Sequence, residues 1–248
     1  MTIADDILRA KADLDDVYAA GFEKGQSQGG GGSYDQGYAD GQKAEYDAFW
    51  DMFQENGNRT DYRYAFAYTK WNDDNFNPKY PLKFVGDATY AFVATEFVWA
   101  DKVLRVDLSK ATNLFFTFRN NKFTRLGKCD LSSATATSGT FSLLPNLVEI
   151  EEIVSHANLP WQSNTFEGTT NLESVTFSGV IGQNGLHLNY SKKLNRESIE
   201  SIINALSPTT SGLSITLSKT AVINAFGNLD DEWSTVQGSK LNWTINLI

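Results

Sequence analysis

The stretches TFSLLPNLVEI at 140–150 and TFEGTTNLESV at 165–175 carry one template: Thr-Phe, four residues, Asn-Leu, two residues, then Ile or Val. Two earlier segments fit with small changes. EFVWADKVLRV at 96–106 keeps the Phe and both aliphatic positions at the same spacing, and TFRNNKFTRL at 117–126 is one residue shorter. Alignment gives three columns: Phe97, Phe118, Phe141 and Phe166; Val103, Phe123, Leu147 and Leu172; Val106, Leu126, Ile150 and Val175. Steps of 21, 23 and 25 residues between the Phe positions suit one strand plus a short return per unit, the period of a solenoid. A unit of that size cannot bury its apolar edge alone, so neighbours must stack and the columns become continuous spines.

Working outward, Leu104 to Leu108 reads as a short strand alternating inward aliphatic with outward polar side chains. Cys129 continues an inward column as a small buried hydrophobe. Later strands are expected at Leu186–Tyr190, Leu213–Leu217 and Asn242–Leu247. Between them Asn195 opens a helix whose inner face is Ile199, Ile202, Ile203 and Leu206, and Ser207-Pro208 stops it. A second short helix is expected over Lys219–Phe226, and these helices with Trp233 and Trp243 are expected to cover the last open edge of the stack.

The first third is different. Ile3, Ile7, Ala10, Leu14, Val17 and Gly21 step by 4, 3, 4, 3, 4, the spacing of a coiled-coil seam, with aspartates on the opposite faces. A single amphipathic helix packed on its own domain is the alternative. Glycine or serine then recurs every fourth residue from Gly21 to Gly41, and the run Gly29 to Gly32 favours a tether between two helices, because each interior glycine costs a helix on the order of 1 kcal/mol. Tyr46, Phe49 and Phe53 form an aromatic stripe at helical spacing, ended by Asn56-Gly57-Asn58. The expected organisation is a stem over 1–45, an aromatic-rich junction over 46–81, and the repeat domain with its cap over 82–248.

Composition narrows the chemistry. The 248 residues are 41% hydrophobic and 21% charged, as in an ordinary folded protein, and the net charge of −9 with no basic run makes nucleic acid a poor partner. No stretch reaches the roughly 18 apolar residues of a membrane span. The start, MTIADDILRAKADLDDVY, lacks a basic region followed by an apolar one, so no secretory signal is expected. A single cysteine and two histidines leave no disulfide framework, no cysteine-built zinc site and no nucleophile–histidine pair, so no cofactor or metal is expected. His156 is expected in a loop after a strand, and His187 on a strand. Glu149, Glu151 and Glu152 form a carboxylate cluster that reads as a solvated strand face; a carbohydrate-cleaving pair is the alternative. Trp161 and Trp99 are candidate sugar-stacking platforms if exposed.

TFEGTTNLESVTF resembles the AF-x-x-C-x-x-L-x-x-I-x-I repeat of the BspA-type leucine-rich repeat family, over about 96–178. The tail from Glu197 to Phe226 followed by Trp233 and NWTINLI, and the segment around Lys43–Trp50 and Gln54–Thr60, are similar to regions of leucine-rich repeat proteins of gut bacteria and their phages. Together with the stem spacing, the resemblance points to an α/β fold: a leucine-rich-repeat solenoid with short parallel strands and C-terminal capping helices, preceded by the N-terminal helical, coiled-coil-like stem. It implies binding or scaffolding and brings no catalytic residues. The expected protein is a non-enzymatic phage fibre or appendage component, assembled in the host cytoplasm into a virion. It would form a dimer or trimer through its stem, contact other virion proteins and display its repeats to a host-surface glycan or protein. A bacterial surface or intracellular protein-binding module is the alternative. Strand alternation nominates Arg105, Asp107, Arg125, Glu149, Glu151, Glu173 and Thr176 as the ligand-binding row.

Overall fold

A computed structural model describes residues 60–68, 70–72, 82–98, 102–229 and 231–248. The stem seam from Ile3 to Gly21, the glycine-rich stretch, the Tyr46–Phe53 stripe and Trp99 lie outside the described residues.

The described residues wind into a β-solenoid of about five turns, and among them every strand pair is parallel. Strands β1 (Lys70–Asn72) and β3 (Glu96–Val98) pair with each other, as do β2 (Lys83–Asp87) and β5 (Asp107–Asn113). Strands β4 (Val103–Leu104), β6 (Arg125–Asp130), β7 (Glu149–Ser155) and β8 (Ser174–Gly179) form a four-stranded sheet in that order. A last sheet runs β11 (Trp243–Leu247), β10 (Leu213–Leu217), β9 (His187–Leu188). The expected strand over 104–108 is two strands instead: β4 ends at Leu104, and β5 starts at Asp107 in another sheet.

The core is a stack of rings. Phe66, Phe92, Phe118, Phe141 and Phe166 are fully buried, and successive ring centroids lie 4.6, 5.4, 5.8 and 5.1 Å apart at small interplanar angles. Each such side chain contributes roughly 2–3 kcal/mol by leaving water. All three expected columns are corrected at their first member. Phe92, not Phe97, precedes Phe118; Phe97 lies one column over, edge-on to Phe123 at 6.1 Å, in the place expected for Val103. In the third column Leu104, not Val106, is in register with Leu126, Ile150 and Val175. Val103–Val106 imitates the aliphatic spacing of the later units, whereas the true first unit places its two Phe residues five apart, as Phe118 and Phe123 are. Cys129 lies in an inward column with Ile153 and Phe177, as expected.

The side of the coil that carries the Phe stack has a repeating backbone conformation. Residues two before and two after the core Phe are left-handed: Tyr64 and Tyr68, Tyr90 and Ala94, Phe116 and Asn120, Gly139 and Leu143. For non-glycine residues this costs roughly 1–2 kcal/mol each. It is offset by hydrogen bonds between coils: Phe66, Phe92, Phe118 and Phe141 N–H groups donate to the Ala91, Thr117, Thr140 and Thr165 carbonyls, at 2.7–3.0 Å. Buried hydroxyls complete the pairing, with Thr117 donating to the Ala88 carbonyl and Thr140 to that of Leu114. Outside the core, Tyr64 stacks on Tyr90, and Tyr90 leans on Phe116. That outer row stops at Gly139 (φ +61°), where a Cβ would stand 2.0 Å from the Phe116 ring.

At the C-terminal end the two sides exchange roles. Helix α1 (Arg196–Ala205), capped by Asn195, takes the place of the strand after β8. Its Ser198 and Ser201 hydroxyls accept from the Val175 and Phe177 N–H groups at 2.9 and 3.1 Å, satisfying the edge of β8. On the opposite side the Phe column continues as strand residues: Leu188, Leu217 and Leu247 are in register. Helix α2 (Lys219–Phe226), capped by Ser218, fills its expected range, and a further helix α3 (Asp231–Gly238) follows. Arg196 joins all three, bonding Glu200 on α1 and Glu232 on α3 and lying 4.9 Å from the Phe226 ring of α2. Trp233 and Trp243 are buried, and among the described residues β11 is an outer strand of the last sheet with β10 beside it.

Candidate functional site

The outward face of the β4–β6–β7–β8 sheet gathers Arg105, Arg125, Glu149 and Glu151 of the expected row and adds Lys128 and Glu152. Simple alternation misses the last two. Leu126 and Cys129 on β6, and Ile150 and Ile153 on β7, are buried three residues apart, so two residues face outward between each pair. On β8, Val175 and Phe177 are two apart, and the register shifts between β7 and β8 to absorb the extra residue.

Register turns these charges into pairs. Arg125 and Glu149 are direct cross-strand partners, with Nε donating to Oε2 at 2.7 Å. Lys128 and Glu152 are also partners, at 2.9 Å. Arg105 reaches further. It crosses β6 above Gly127, where a Cβ would lie 3.0 Å from the Arg105 Cγ, and donates to both Glu151 oxygens at 2.7 and 2.6 Å. The Glu151 carboxylate holds the Arg105 guanidinium above its ordinary value. Glu152 also accepts from the Ser178 hydroxyl at 2.6 Å, and that bond, with Lys128, lowers its pKa. Three cations and three carboxylates are thus mutually engaged on a half-exposed surface. The arrangement makes a charge-balanced face.

The rest of the expected row is dispersed. Asp107 begins β5 in a different sheet and accepts from Ser109 N–H and O–H at 2.9 and 2.6 Å. Glu173 precedes β8 and pairs with Lys193 at 3.7 Å. Thr176 is exposed on β8. Trp161 is no platform: it is 2% exposed and packs against Phe166 and Phe177. His156 follows β7 as expected, its Nε2 3.0 Å from the Ala134 carbonyl. Burial pushes the Cys129 thiol up to about 12, the behaviour of a structural cysteine.

A second surface was not anticipated. Tyr90, Phe115 and Phe116 are half-exposed in contact with one another, Arg119 lies 4.5 Å over the Phe116 ring, and Tyr68 is 63% exposed. The recurrence of an aromatic residue two before the core Phe, at 64, 90 and 116, is the sequence signal for it. The chain matches no family model, no curated protein and no solved structure.

Proposed function

We propose that this is a non-enzymatic structural or adhesive protein of the BspA-type leucine-rich repeat kind. In this reading it is a phage fibre or appendage component that self-associates through its stem and displays the solenoid to a host surface. The observation that carries the reading is the charge-balanced sheet face: the carboxylates that offered the best case for hydrolysis are held in ion pairs with Arg105, Arg125 and Lys128. A continuous stack of buried rings beneath that face makes a rigid support for presenting side chains. Joining several copies side by side would let weak contacts add as avidity.

The test is the mass of the full chain by light scattering beside an Ile7→Asp/Leu14→Asp variant, which places charge in the proposed seam. A fall in mass supports stem-driven assembly, and an unchanged mass refutes it. Binding to intact host cells, compared with a chain carrying Tyr68→Ala and Arg119→Ala, then tests display. A pull-down dominated by one intracellular protein would favour the protein-binding module instead.

A further inference from the structure

We propose that β11 is a self-pairing edge, through which two copies of the chain join by antiparallel β11–β11 hydrogen bonding about a two-fold axis at Ile245. The proposal does not depend on the stem or on the function proposed above.

The fold closes the β8 edge of the four-stranded sheet with side chains, Ser198 and Ser201 of α1 accepting from the Val175 and Phe177 N–H groups. Among the described residues strand β11 has no such cover, and it is an outer strand of its sheet. Edge strands are ordinarily guarded by lysine, proline, a bulge or short length. The sequence Trp-Thr-Ile-Asn-Leu has no charge and no proline, and its five residues pair with β10 without a register shift.

The backbone sets which groups are offered. Ile248 N–H donates to the Leu217 carbonyl at 3.1 Å, and the Ile248 carbonyl accepts from Lys219 at 2.8 Å, so Ile248 faces inward to β10. Alternation places Thr244 and Asn246 on that same side and turns Trp243, Ile245 and Leu247 to the open side. Those three positions are symmetric about Ile245. A second copy laid antiparallel therefore matches donor to acceptor: Ile245 N–H to the opposing Ile245 carbonyl, and Leu247 N–H to the opposing Trp243 carbonyl, each twice over. The Trp243 N–H is already turned to the Lys240 carbonyl and is not required.

The side chains agree with this orientation. Among the described residues the two most exposed large apolar side chains are Leu241 (90%) and Ile248 (71%), one at each end of β11. Antiparallel pairing brings Ile248 of each copy beside Leu241 of the other, which a parallel arrangement does not. Thr244 stands opposite Asn246 of the second copy, and no like charges face each other although the chain carries −9. The two three-stranded sheets become one of six strands, joined by an isologous contact of the commonest symmetry.

The test uses the full chain. Thr244 and Asn246 are exposed, so Thr244→Lys/Asn246→Lys leaves the fold intact while setting lysines opposite one another. In the Ile7→Asp/Leu14→Asp background, where the proposed stem seam is broken, sedimentation should show the mass falling at least twofold when the two lysines are added; equal masses overturn the proposal. In the pairing, positions 244 and 246 of opposing copies are non-hydrogen-bonded partners about 4.5 Å apart at Cα, within disulfide range. Thr244→Cys/Asn246→Cys should give a covalent dimer on mild oxidation, with Thr220→Cys on α2 as the exposed control. Cross-linking no faster than at position 220, or none, also overturns it.

Discussion

Gly139→Ala should cost the protein about 2–3 kcal/mol, most of it through one ring. Gly139 is left-handed, so any side chain there costs about 1 kcal/mol regardless of space. The added methyl would also lie 2.0–2.1 Å from two atoms of Phe116. Because Phe116 is half-exposed, its ring has somewhere to go: it can swing outward and forfeit its contacts with Tyr90 and Arg119. That escape limits the clash to the ring's packing and cation–π contacts, about 1–2 kcal/mol. Removing the ring beforehand should remove that part. In a Phe116→Ala background, Gly139→Ala should cost only the backbone share of about 1 kcal/mol, leaving a coupling energy of about 1–2 kcal/mol in a double-mutant cycle followed by urea unfolding. A coupling near zero, with Gly139→Ala equally costly in both backgrounds, would refute the claim that the missing side chain exists to seat Phe116.

Ser198→Ala should leave the Val175 N–H buried without an acceptor and lower stability by about 1–3 kcal/mol in denaturant unfolding, whereas Ser198→Thr should restore much of it. Glu152 has a folded pKa below the ordinary 4.5, so its contribution is present above that value and is lost as pH falls through the lowered one. Wild type should therefore lose stability on acidification more steeply than Glu152→Gln between about pH 5 and 3, and parallel curves would contradict this. Cys129, with its thiol pushed up to about 12 and its side chain buried, should resist iodoacetamide at pH 8 while folded and react on denaturation, as read by mass spectrometry.

The repeat was legible where the units are most alike. Phe118, Phe141 and Phe166 fell into one column because Asn-Leu follows at a fixed distance in the last two units, and the helix at Asn195 was marked by its cap and apolar face. The first unit was misaligned because a pattern of aliphatic spacing cannot distinguish Val103–Val106 from the Phe92–Phe97 pair that packs in the stack. The exchange of helix for strand after β8 depends on which groups the preceding coil leaves unpaired, which is a property of the assembled edge. The candidate face was half legible for the same reason. Alternation places Glu149 and Glu151 outward, but that Arg105 meets Glu151 rather than a neighbour on β6 follows from the absence of a side chain at Gly127.

That reach has a mechanical meaning. Repeat proteins are ordinarily governed by contacts between adjacent units alone, so a break between two units isolates everything beyond it. Arg105 belongs to one coil and Glu151 to the next but one, and the bond passes over the coil between them. An exposed pair of this kind is worth about 0–1 kcal/mol, and salt will weaken it. Its effect lies in its span: the middle coil cannot peel outward without disturbing a tether anchored on both its neighbours, so fraying is resisted three coils at a time.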